Sequence, residues 1–81
     1  MMIYGYCGKK VNSYGLFEMK EVTFSMSSEA LRNISVFLKD MADMIDNDEF
    51  KDGLHHHIGC TISDWNDLYS ETDVVVIKQK V

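Results

Sequence analysis

The sequence predicts an α+β domain of order β-β-α-β-β, with one helix packed on a four-stranded, mainly antiparallel sheet. Three observations predict it. Apolar residues recur at three- and four-residue steps through the middle of the chain, β-prone segments flank that stretch on both sides, and no proline, repeat or linker interrupts the order. At 81 residues the chain is well under the roughly 150 that serve as a soft prior for one domain, so a single domain over 1–81 is expected.

Met2 to Cys7 is a short β-prone run, and Gly8 to Gly15 holds the glycines and the asparagine of a hairpin connection. Leu16 to Met26 follows as a second strand, antiparallel to the first. In it Val22, Phe24 and Met26 alternate with Glu21, Thr23 and Ser25, which predicts one buried face. Phe17 and Met19 alternate in the opposite phase. A bulge near Lys20 and Glu21 would re-aim the strand and reconcile the two phases.

The helix starts after Ser27 and Ser28, where a hydroxyl can accept from a first-turn amide and Glu29 meets the positive end of the dipole. Ala30, Leu31, Ile34, Phe37, Leu38, Met41 and Ile45 form its apolar stripe, with Arg32, Lys39, Asp40 and Asp43 facing outward. Asp46-Asn47-Asp48 and Gly53 predict its end between residues 46 and 52.

Beyond it, His56, Ile58, Cys60 and Ile62 are expected on the inner side of a third strand, with His55, His57, Gly59 and Thr61 on the other. Ser63 to Thr72 is polar, with Trp65, Leu68 and Tyr69 spaced as on one helical turn. Asp73 to Lys80 contains Val74-Val75-Val76-Ile77, apolar on both faces, which suits a central or partner-covered strand.

Thirteen acids against eight Lys and Arg give a net charge of −5, which argues against nucleic acid or an anionic membrane as partner. A basic protein is the charge-complementary choice. No apolar stretch reaches the ~20 residues of a bilayer span, and Met1 to Gly8 has no export signal, so a cytoplasmic location is expected. Cys7 and Cys60 match neither a disulfide scaffold nor a zinc motif and read as reduced thiols in or near the core.

Six carboxylates fall within thirteen residues, at Asp40, Asp43, Asp46, Asp48, Glu49 and Asp52. The ordinary reading is a solvated face; the sharper one is a surface complementary to a basic protein. Asp46, Asp48, Glu49 and Asp52 are its candidate contacts, with Trp65 and Tyr69 as aromatic anchors if exposed. His55 and His57 share a strand side at a spacing from which two imidazoles reach one metal, but zinc needs three or four ligands, and Asp64, Asp67 or Asp73 have no fixed geometry in sequence. They are read as a solvent-facing or partner-facing strand surface and kept as candidate partner contacts, with no metal and no cofactor assigned. Cys60 lacks an electropositive pocket and an orienting group and reads as inert packing.

The run Glu21-Val22-Thr23-Phe24-Ser25-Met26-Ser27, the helix with Leu31, Ile34, Phe37 and Leu38, the segment His55-His56-His57-Ile58 and the strand Asp73-Val74-Val75-Val76-Ile77 together resemble small immunity proteins of bacterial polymorphic toxin systems. The resemblance spans residues 16–78 and rests mostly on apolar periodicity. It implies a cytoplasmic, non-catalytic inhibitor that binds a cognate toxin, often a nuclease, and it transfers no catalytic residue. A homo-oligomeric structural or regulatory domain, suggested by the Val74 to Ile77 run, is the alternative of a different class; a metal-dependent enzyme using His55 and His57 is the third.

Overall fold

A computed structural model describes residues 2–11, 15–51, 54–69 and 72–78. The elements are β1 (Met2–Val11), β2 (Phe17–Ser25), α1 (Ser28–Asp46), β3 (His55–His57), a 3-10 turn (Ile58–Cys60), α2 (Trp65–Leu68) and β4 (Val75–Ile77). The α+β class and the order of the four strands around one main helix are as expected. The single four-stranded sheet is not: among the described residues β1 pairs only with β2, and β3 only with β4, in two separate antiparallel sheets. The β3–β4 ladder is three residue pairs long, because the chain leaves β3 at Ile58 to enter the 3-10 turn. Such stubs offer a hairpin of ten- and nine-residue strands too little edge to join.

The β1–β2 register runs from Met2 opposite Ser25 to Tyr6 opposite Glu21, then places Cys7 opposite Met19. Lys20 has no opposite number, so the bulge lies where the change of phase predicts it. Directly opposed residues share a face. Ile3, Gly5 and Cys7 on β1 therefore share theirs with Phe24, Val22 and Met19 on β2, and Phe17, two residues from Met19, joins them. Gly5 is required there. A Cβ at that position would fall 2.0 Å from the Met19 Cε and 2.8 Å from the Glu21 carbonyl oxygen. β1 extends to Val11, beyond the expected Cys7, and residues 12–14 of the connection lie outside the described set.

Ser27 caps α1 as expected: its backbone is extended and its hydroxyl accepts from the Ala30 amide at 3.2 Å. Ala30, Ile34, Phe37 and Met41 are buried, and Met44 and Ile45 pack partly against them. Leu31 and Leu38 were expected on that stripe, yet they are 44% and 47% exposed. A seven-residue step apart, they lie along its margin, where neither sheet covers them. Phe50 from the turn after α1, Ile58 from the 3-10 turn and Trp65 from α2 complete the core, with Met26, Ile62, Tyr69, Val74 and Val76 packed around it.

The face of β2 carrying Val22, Phe24 and Met26 is likewise not buried as expected. All nine residues of β2 are exposed, and Met26, just past its end, is what reaches the core. Both cysteines are exposed rather than core thiols. Cys7 lies on the hairpin, away from the core, and Cys60 ends the 3-10 turn that replaces the predicted continuation of β3. In the last strand Val75 is exposed, whereas Val76, and Val74 just before the strand, pack against the core.

Candidate functional site

The acidic surface is built by the way α1 stops. The Asp48 amide donates to the Ile45 carbonyl at 3.2 Å and the Glu49 amide to the Met44 carbonyl at 2.8 Å, the paired bonds of a Schellman closure. That closure needs a left-handed residue, and Asp48 supplies it with φ 58° where glycine is the usual choice. Phe50, 1% exposed, then fastens the turn to the core, its ring meeting His56 edge-on with centroids 4.6 Å apart.

Asp46, Asp48 and Glu49 are thereby held exposed around the negative end of the helix dipole, and the last turn of α1 contains no basic residue. Asp52 lies outside the described residues. One turn back, Lys39 Nζ donates to Asp43 Oδ2 at 2.9 Å, and this bond raises the ammonium above its ordinary pKa. The pair offsets Asp43; Asp46, Asp48 and Glu49 remain as the exposed acids around the helix end, with the exposed Lys51 following.

His55 and His57 are exposed on the same side of β3, with ring centroids 5.0 Å apart and planes at 79°. Asp73 Oδ2 lies 2.5 Å from His57 Nδ1, joining the residues just before β4 to β3 across the small sheet. His57 and Asp73 also line a shallow cleft of about 290 Å³ with Gly59, Ser63, Trp65, Asn66 and Thr72. A carboxylate on Nδ1 orients the imidazole and leaves Nε2 for a second partner. Among the described residues no group of three or more His, Cys, Asp and Glu side chains could hold a metal ion.

The two aromatic candidates are not free anchors. Trp65 is 2% exposed and its Nε1 donates to the Thr72 carbonyl at 3.0 Å, so it belongs to the core and fixes the approach to β4. Tyr69 is half-buried, with its hydroxyl engaged by Glu29 and Asn33. The three-four spacing of Trp65, Leu68 and Tyr69 was readable as a helical turn, but it does not say which side faces inward; Leu68 is the one left exposed.

No family model, no curated protein and no solved structure matches this chain. Among the described residues no helix is long and apolar enough to cross a membrane.

Proposed function

We propose that this protein is a non-catalytic, cytoplasmic binding protein that neutralises a basic partner, as an immunity protein of a bacterial polymorphic toxin system does, through the acidic end of α1. One observation carries the reading. Asp46, Asp48 and Glu49 stand where folding alone would prefer other residues: the negative end of a helix disfavours each carboxylate by a few tenths of a kcal/mol, and a left-handed backbone favours Gly over Asp by about 1 kcal/mol. Residues that break local rules without a folding gain mark function. His55 and His57, exposed on β3, add hydrogen-bonding groups to the same protein's contact surface.

A basic cleft shaped for phosphates, such as a nuclease toxin presents, is complementary to this surface, and steering by opposite charge speeds encounter by orders of magnitude at low salt. Neither a cofactor nor nucleic acid nor a membrane enters this role. The test is to read the neighbouring genes for a large secreted toxin and to measure binding of its purified C-terminal domain. Nanomolar or tighter binding is expected; a gene with no such neighbour, or a toxin domain that ignores the protein, sinks the proposal.

A further inference from the structure

The bulge at Lys20 gathers Phe17, Met19, Val22 and Phe24 onto one face of the β1–β2 hairpin, and all four are exposed, from 40% for Phe24 to 60% for Phe17. No described residue of either strand belongs to the buried core. A lone two-stranded hairpin is at best marginally stable in water, so this face calls for a cover. We infer that the cover is a second copy of this chain, which packs its hairpin face on the same face of the first about a two-fold axis.

Area and charge select that occupant. The accessible surface is 6154 Å², whereas a folded monomer of this mass scales to about 5,000 Å², leaving an excess of roughly 1,200 Å². A standard interface buries about 800 Å² per partner, so a two-fold contact through the hairpin would return each protomer to the ordinary range of exposed surface. Residues 1–26 carry Lys9, Lys10 and Lys20 against Glu18 and Glu21, formally +1, and the rest of the chain holds eleven acids against five basic residues, formally −6. A basic partner is drawn to the acidic end of α1, not here. Two copies meet at the nearly neutral hairpin with their acidic ends free to lie apart, and the apolar face is self-complementary, as a two-fold contact requires.

Sedimentation equilibrium from 1 to 100 μM tests this on the full chain. Wild type is expected at twice the 9.3 kDa protomer mass. Val22→Lys and Phe17→Lys should return it to protomer mass with an unchanged helical circular-dichroism signal, while Leu68→Lys, on an exposed residue of α2, should leave the dimer intact. A wild type that stays monomeric at 100 μM, its face kept for a different protein, overturns the inference, as does a dimer that both hairpin variants leave whole. A second readout does not depend on those variants folding. In Cys60→Ser protein, Cys7 shares the apolar face, so its thiol labelling should slow several-fold as concentration rises through the dimerisation range; a rate independent of concentration overturns the inference too.

Discussion

The Tyr69 hydroxyl donates to Glu29 Oε1 at 2.8 Å while accepting from Asn33 Nδ2 at 3.0 Å, tying the end of α2 to the first turn of α1 across some forty residues of sequence. Asn33 also donates to the Glu29 carbonyl at 3.0 Å, so one side of the helix start is cross-linked by polar contacts. The core lies beside this clasp. Trp65 packs against Tyr69 with ring centroids 5.4 Å apart, which couples the clasp to the buried layer.

The clasp predicts an alkaline loss of stability. Its bond to Glu29, then burial and the neighbouring negative charge, raise the Tyr69 phenol above its ordinary value of 10.0. A group whose folded pKa is raised contributes stability that is fully present below the unfolded pKa and lost as pH climbs through the folded one. Urea midpoints of wild type should therefore fall from about pH 10 upward more steeply than those of Tyr69→Phe. Equal slopes in the two proteins would remove the clasp from the account.

Asp48 predicts opposite effects from two substitutions at one position. Asp48→Gly relieves the left-handed backbone and should be neutral or stabilising by up to about 1 kcal/mol, whereas the β-branched Asp48→Val should destabilise by about 1 to 2 kcal/mol. Urea denaturation of the pair settles it. Loss of stability in the glycine variant would mean that the carboxylate, not the turn, is what matters to the fold.

Trp65 predicts a core penalty and a spectroscopic signature. It is the sole tryptophan and is almost fully buried, so native emission should be blue-shifted relative to the urea-unfolded chain. Trp65→Ala should cost about 3 to 5 kcal/mol through lost burial and the cavity left behind, enough to unfold a domain this small. Trp65→Phe keeps much of the volume and loses the bond to Thr72, so it should cost less. Fluorescence matching that of the unfolded chain would contradict the packing.

Local signals were legible in the sequence, and long-range ones were not. The Ser27 cap, the stripe through Ile34, Phe37 and Met41, the helix end and the bulge at Lys20 all follow from spacing within about twenty residues. What spacing does not encode is which faces meet. Leu31 and Leu38 share the helical period of the core residues, and Val22 and Phe24 alternate as a buried strand would, yet all four remain exposed because the two sheets do not join. The same gap governs the candidate surface. Chain position put Asp46, Asp48 and Glu49 at the end of α1, whereas the Trp65 and Tyr69 pattern could not tell an anchor from a core side chain.

The acidic end of α1 predicts how association with a basic partner responds to salt. Asp46, Asp48 and Glu49 face solvent with no basic residue in the last helical turn to neutralise them, and Asp52 follows in the sequence. Exposed charges act over a Debye length of about 10 Å at 0.1 M salt, so their contribution belongs to encounter more than to the docked contact. On the function proposed above, changing the four to Asn, Asn, Gln and Asn should slow association with a basic toxin domain about tenfold or more at low ionic strength and flatten its salt dependence, while dissociation changes little. Stopped-flow mixing at 20 and 200 mM salt measures both rates. Association kinetics equal to wild type at both salts would move the interface off this end of the helix, and a faster dissociation at unchanged association would make these carboxylates docked contacts instead of steering charges.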